Sequence, residues 1–370
     1  MVFTDREQER YQRHLQLPEF GANGQAALKK ARVAVIGLGG LGCPAALYLA
    51  AAGVGQITLV DGDTVSLSNL QRQVLFTEAD LDEHKTRAAQ RTLHARNSDI
   101  RIEALTEPLT LVLAESLFQR VDLVLDCTDN FATRYLINDL CHHVGMPWVY
   151  ASVLGFSGQL ALFNPGGACF RCLFPSLGET PDCNQAGVVG ALPGLLGTLQ
   201  ALMAIKRLAA LDNPDEQVLL QFDALGLNWR RIQLTTAPDC SLCAGTKTFE
   251  DFQNDYPSET SLTVMANARS DTMDDATTTL PAEAFTDYMQ QQQPLLIDVR
   301  SAQEHRAGNL GGINIPLTRL ADEMGHLSDG DQRSVLLYCQ TGKRSAQAAA
   351  LLRERGLENV LSLAGGLQGQ

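Results

Sequence analysis

The sequence predicts an α/β protein: a doubly wound, mostly parallel sheet followed by a second, smaller α/β unit. Three observations predict it. Short β-branched runs alternate with helical stretches over residues 32–150; residues 246–280 turn polar and acidic with weak periodicity; and a shorter strand and helix alternation resumes after them.

RVAVIG, the first run, leads through glycines into an uncharged apolar helix over residues 43–52. QITLV, IRIEAL, VDLVLD and PWVYAS follow, most of them continuously apolar, as strands covered by helices on both faces must be. Residues 83–95 predict one of the intervening helices. GQLALFN, VLLQFDA and WRRIQLTT predict further strands, and residues 193–211 a long buried helix, so that the first domain spans residues 1–245. The Ser, Thr, Asn and acid-rich stretch 246–280 reads as a linker. The second domain, residues 281–370, carries a helix over 282–290, the strands LLIDV, SVLLYC and NVLSL, and a helix over 345–355.

With 370 residues, 45% hydrophobic and 19% charged, the chain has enough apolar surface for two cores. Its net charge of -13 excludes nucleic acid as an expected partner, because phosphate backbones demand a basic surface. The N-terminal MVFTDREQERYQRHLQL has no apolar core of a secretory signal, which predicts a cytoplasmic protein. Two uncharged stretches, residues 33–60 and 184–205, are interrupted by glycines and by Pro193, so neither reads as a membrane span. Nine cysteines in such a chain are expected to be reduced thiols, metal ligands or catalysts rather than disulfides.

Gly37, Gly39 and Gly42 form G-x-G-x-x-G between a strand and a helix, where backbone N–H groups can approach phosphate, and Asp61 ends the next strand in position for a ribose. Alone, this Rossmann-like loop favours an NAD-dependent oxidoreductase. Asp63, Asn69, Arg72, Gln73 and Lys85 add two cations and several amides, which suit a triphosphate better. Asp126 and Asp129, at the end of VDLVLD, are carboxylates that could hold Mg2+ on ATP.

Together GLGGLG, DGDTVSLSNLQRQ, the His84-Lys85 site and DCTDN resemble the MoeB/ThiF family, bacterial relatives of ubiquitin-activating enzymes, over about residues 6–245. The resemblance implies adenylation of the C-terminal Gly-Gly carboxylate of a ubiquitin-like sulfur-carrier protein. It puts Gly40 at the ATP phosphates, Asp61 at the ribose, and Ser68, Asn69, Leu70, Gln71 and Arg72 along the site. It also implies Lys85 at the reacting phosphate, with Asp129 and Asn130 completing the set. Arg13 resembles an arginine that reaches into a neighbouring subunit, implying a homodimer; otherwise it is a solvated helix residue.

Cys169-x-x-Cys172 and Cys240-x-x-Cys243 can close a tetrahedral site whose natural occupant is structural Zn2+. Cys183 lies alone in a polar loop. It is either an inert small hydrophobe or, by resemblance to some relatives, the cysteine that bonds covalently to the carrier.

Cys339 follows an apolar strand and opens the loop CQTGKR before a helix, where backbone N–H groups, Lys343 and Arg344 would stabilise a persulfide anion. The loop, with LLIDVRSAQEHRAGNLGGINIPL upstream, resembles the rhodanese domain over about residues 280–370. In that pattern Asp298 and Arg300 are structural, and Asn309 departs from the usual histidine. The fused arrangement is similar to MoeZ-type proteins and eukaryotic molybdopterin-synthase sulfurylases. It implies a carrier thiocarboxylate as product, with thiosulfate or a cysteine desulfurase persulfide as sulfur donor.

Overall fold

Side-chain caps start three of the described helices of the first unit, at Thr4, Thr110 and Asn130. In the computed structural model Thr4 closes a capping box with Glu7 over α1 (Asp5–Leu15), and α2 (Gly21–Lys30) delivers the chain to β1 (Arg32–Ile36). There follow α3 (Gly42–Ala52), β2 (Gln56–Val60), α4 (Lys85–Arg96), β3 (Arg101–Leu105), α5 (Leu111–Phe118), β4 (Leu123–Asp126) and α6 (Phe131–Val144). β5 (Trp148–Leu154), β6 (Ser157–Phe163), α7 (Phe170–Leu173), α8 (Ala191–Leu208), β7 (Val218–Asp223) and β8 (Asn228–Gln233) complete it. The residues described are 3–175, 187–211, 217–246, 251, 279–317, 319–320, 334–340, 342–354, 357 and 359–369. The chain divides into two units, Met1–Thr260 and Ser261–Gln370.

The eight strands run β3-β2-β1-β4-β5-β6-β7-β8. β3 to β5 are parallel and β6 to β8 are antiparallel additions, the three extra strands that the sequence predicts. β1 has β2 on one side and β4 on the other, so the sheet's order reverses there and a crevice opens beyond the strand ends. Register fixes its depth: Ile36 pairs with both Val60 and Asp126, which puts Gly37, Asp61 and Cys127 at one level.

Burial explains the apolar strands. One core lies under α3, α4 and α8, the other under α5 and α6. α8 starts two residues before the predicted Pro193, which sits in its first turn where a missing N–H costs nothing. Among the described residues no helix is long and apolar enough to cross a membrane.

In the second unit β9 (Thr279–Leu280), α9 (Phe285–Gln292), β10 (Leu295–Asp298), α10 (Ala302–Ala307), β11 (Ile313–Asn314), β12 (Val335–Tyr338), α11 (Lys343–Glu354) and β13 (Val360–Leu363) build a parallel sheet in the order β11-β10-β12-β13-β9. β9 and β11 are two residues long, below what periodicity can register, and β9 falls at the end of the stretch read as linker. Most of that stretch lies outside the described residues.

Candidate functional site

The crevice is a cavity of about 740 Å³, within the range that binds small-molecule ligands. Its floor is the glycine loop. A Cβ on Gly42 would lie 2.0 Å from the carbonyl oxygen of Gly37, and one on Gly37 would lie 2.8 Å from that of Cys127, so both positions require glycine for the loop to fold back on the strand ends.

Gly37, Gly39, Gly40, Asp61, Asp63, Asn69, Gln71, Arg72, Lys85, Asp129 and Asn130 line the cavity. The other predicted members stand apart from that lining. Gly42 starts α3, Ser68 bonds to Ser66 through its hydroxyl, and Leu70 packs against the apolar core. Asn130 also caps α6 by accepting from the N–H of Thr133.

Lys85 is the least expected group energetically. It is the first residue of α4, where the helix dipole disfavours a cation, yet its side chain is only 6% exposed. Two carboxylates hold it: Asp63 at 2.7 Å and Asp61 at 3.9 Å. Asp61 also accepts from the N–H groups of Leu38 at 2.6 Å and Asp63 at 2.8 Å. Burial pushes the Asp61 carboxyl above its ordinary value, against the pull of Lys85 and the two amides. Arg72 donates to the carbonyl of Ser68 at 3.0 Å and stands at the cavity edge.

Asp126 corrects an expectation. It is fully buried, accepts from the N–H and hydroxyl of Thr128, and lies 3.5 Å from Arg134 Nε, outside the cavity lining. Of the two strand-end aspartates, Asp129 alone lines the cavity. Arg134 is a charged lining residue that sequence reasoning missed. It is buried, donates to the carbonyl of Thr128 at 2.7 Å, and lies over the rings of Phe131 and Tyr150. Its position four residues after the helix cap Asn130 was the available signal.

Arg13 is exposed on α1, 3.5 Å from the Gln16 side chain, and does not line the cavity of its own chain. Cys183 lies outside the described residues.

The sulfur atoms of Cys169, Cys172, Cys240 and Cys243 lie within 4.8 Å of one another. Three contacts measure 3.8, 3.6 and 3.5 Å. A tetrahedron with metal–sulfur bonds of about 2.3 Å has edges of about 3.8 Å, so the four thiols fit zinc. No disulfide has such spacing. Arg171, inside the first pair, bonds twice to Asp139, and the N–H of Phe170 bonds to Asn138, which pins the cluster to α6.

Cys339, in the second unit, follows β12 and is 1% exposed. Arg344 is engaged by Glu304 through two hydrogen bonds, at 3.0 and 2.7 Å, rather than standing open beside the sulfur. That pairing holds the Glu304 carboxyl down at about 2. Arg300 is spread over Asp298, Gln340 and the carbonyl of Gly308, a buried brace for the loop. Asn309 bonds to the carbonyl of His305 and the N–H of Gly311, satisfying its own turn. Thr341 and the Lys343 side chain lie outside the described residues.

A model of the ThiF family matches residues 11–242, and one of the rhodanese-like domain matches residues 281–369. The Zea mays protein named "Adenylyltransferase and sulfurtransferase MOCS3-1" is 37% identical over 380 residues, covering 97% of this chain and 80% of the relative. The "Sulfur carrier protein ThiS adenylyltransferase" of Escherichia coli (strain K12) is 46% identical over 246 residues, 66% of this chain and 98% of the relative. Among solved structures, E. coli MccB with ATP shares the fold with a TM-score of 0.58, at 24% identity over 65% of this chain and 75% of that one. Such relatives, named for adenylyl and sulfur transfer, lend no support to the dinucleotide reading.

Proposed function

The chain belongs to the ThiF family and carries a rhodanese-like domain behind the ThiF part; from that premise we propose that it adenylates a ubiquitin-like sulfur carrier and then supplies sulfur to it. Residues 1–245 would perform the first step and residues 281–370 the second. One observation carries the reading: Lys85, Arg72 and Asp129 share a single cavity with the glycine loop, so cations, phosphate-binding amides and a carboxylate converge where a triphosphate would lie.

The carrier's terminal carboxylate attacks the α-phosphorus of ATP, a carboxylate–phosphorus bond forms, and pyrophosphate departs with the electrons of the bond it breaks. Lys85 and Arg72 offset the charge that develops on the phosphates, and Asp61 bonds the ribose. Asp129 would hold magnesium, which supplies further neutralisation of the pyrophosphate. Arg13 of a partner subunit would complete the site in a homodimer.

A protein substrate suits the mouth of this cavity. Val153 lines it, and beside it the β5–β6 and β7–β8 turns, joined by the Ala224 N–H on the carbonyl of Phe156, expose Leu154 (41%), Phe156 (48%), Leu225 (75%) and Leu227 (74%). Apolar groups so exposed together favour a macromolecular face over a metabolite pocket.

The outer sulfur of the Cys339 persulfide, loaded by thiosulfate or by the persulfide of a cysteine desulfurase, then attacks the acyl-adenylate, directly or by way of Cys183, and AMP leaves. A thiol attacks Cys339 Sγ of the resulting acyl disulfide, a new S–S bond forms there, and the old S–S electron pair leaves with the outer sulfur as the carrier thiocarboxylate. Cys169, Cys172, Cys240 and Cys243 would hold zinc as a structural tie. The reading also expects a cytoplasmic protein.

Pyrophosphate exchange into ATP tests the first half: it should require a carrier with an intact Gly-Gly end, and exchange with no candidate carrier would sink the adenylation reading. For the second half, Cys339→Ala should abolish thiosulfate-to-cyanide transfer while exchange persists.

A further inference from the structure

Two buried hydroxyls stand behind the thiol of Cys339. Ser345, in the first turn of α11, is fully buried, and its Oγ lies 3.7 Å from Cys339 Sγ and 3.0 Å from the carbonyl oxygen of Gly342. Ser362, on β13, is 3% exposed and donates to Ser345 Oγ over 2.9 Å. Ser345 has one hydroxyl hydrogen, and two acceptors compete for it. The donation from Ser362 occupies a lone pair of Ser345 and limits its hydroxyl to those two directions.

The competition is decided by charge. A neutral thiol is a weak acceptor, so the hydrogen belongs to Gly342; a sulfur anion receives a hydrogen bond roughly twice as strong as a neutral one. We propose that Ser345, held by Ser362, is a positioning residue for Cys339, its hydroxyl turning from the Gly342 carbonyl to Sγ whenever that sulfur is anionic. The proposal rests on the reading of Cys339 as the sulfur-transfer thiol.

Sγ is anionic at both ends of that reaction. When the thiolate attacks the outer sulfur of thiosulfate, a new S–S bond forms and sulfite leaves with the electron pair of the old one. When cyanide attacks the outer sulfur of the persulfide, a C–S bond forms and the S–S electron pair returns to Sγ as thiolate. At 1% exposure the sulfur has little water to receive that charge. Among the described residues, Arg344 of α11 is engaged with Glu304 of α10, and Arg300 and His305 with Asp298 at the end of β10. A neutral hydroxyl at the sulfur supplies a donor without a second cation.

The test uses the full chain with four variants, Ser345→Ala, Ser345→Thr, Ser362→Ala and Cys339→Ala. Alkylation of Cys339 by iodoacetamide across pH, followed by peptide mass spectrometry, reads the thiolate directly, and thiosulfate-to-cyanide transfer reads the reaction. Ser345→Ala should move the alkylation midpoint up by about one pH unit and slow transfer at neutral pH about tenfold. Ser345→Thr, which keeps the hydroxyl, should restore both, and Ser362→Ala should shift the midpoint less in the same direction. Pyrophosphate exchange should stay at the parental rate throughout. An unmoved midpoint in Ser345→Ala overturns the proposal, as does a threonine variant as impaired as the alanine one. Should Ser345→Ala fail to fold, Ser362→Ala decides, and a parental midpoint there overturns it. Transfer that survives Cys339→Ala would instead remove the sulfur-transfer reading itself.

Discussion

Replacing Lys85 by methionine separates a catalytic cation from a structural one. Lys85 Nζ stands 3.9 Å from Asp61 Oδ1, and both side chains are under 10% exposed. At an effective dielectric of about 20, their attraction is about 4 kcal/mol. Part of this is offset in the parent by the desolvation of Lys85 and its place at a helix N-terminus, so a net loss of about 2 kcal/mol is expected at neutral pH. The pH dependence has a definite sign. Burial already raises the Asp61 carboxyl, and Lys85 works against that rise. A carboxyl whose folded value lies above its unfolded one costs stability as pH climbs from about 4 through the folded value. Lys85→Met lets the rise grow, so the deficit should be full at pH 7 and shrink as pH falls toward 4, as urea unfolding at several pH values would measure. Pyrophosphate exchange should fall by about 100-fold or more if Lys85 stabilises the reacting phosphates. A variant unfolding like the parent at pH 7, or exchanging within tenfold of it, would refute the corresponding half of this reasoning.

Glu304 gives the opposite pH signature in the second unit. Arg344 depresses its carboxyl to about 2, so its contribution is present above the ordinary value of 4.5 and lost as pH falls toward 2. With the side chain 37% exposed, solvent reduces that contribution to about 1 kcal/mol. Acid unfolding of Glu304→Gln should lack this loss, and identical acid limbs in variant and parent would contradict it. For the four-cysteine cluster, elemental analysis should find one zinc per chain, and its removal by a chelator should lower the thermal midpoint by roughly 10 °C. A metal-free protein with the parental midpoint would exclude a structural role.

What could be read in advance divides along the range of the interaction. The glycine loop, the C-x-x-C pairs and the strand rhythm are local patterns, and the residues that create them are the residues that use them. What was missed depends on how one element packs against the next. Asp126 looked like a metal ligand because carboxylates at strand ends tend to face a crevice, but Arg134 and Thr128 hold it in the interior. That relation depends on the register of α6 against β4, which sequence spacing alone does not specify. Arg344 was expected to stabilise a charge at Cys339, and the carboxylate that shares it, Glu304, lies 40 residues upstream on another helix. Ser345 and Ser362, 17 residues apart, gave no sequence signal, since single serines are common on helices and strands. At both sites the chemistry-bearing residue was legible from its own neighbourhood, whereas the group that sets its charge arrives from a different element. Charge state is therefore a property of the fold more than of the motif, and the pH-resolved measurements on Lys85, Glu304 and Ser345 bear most directly on what the fold adds.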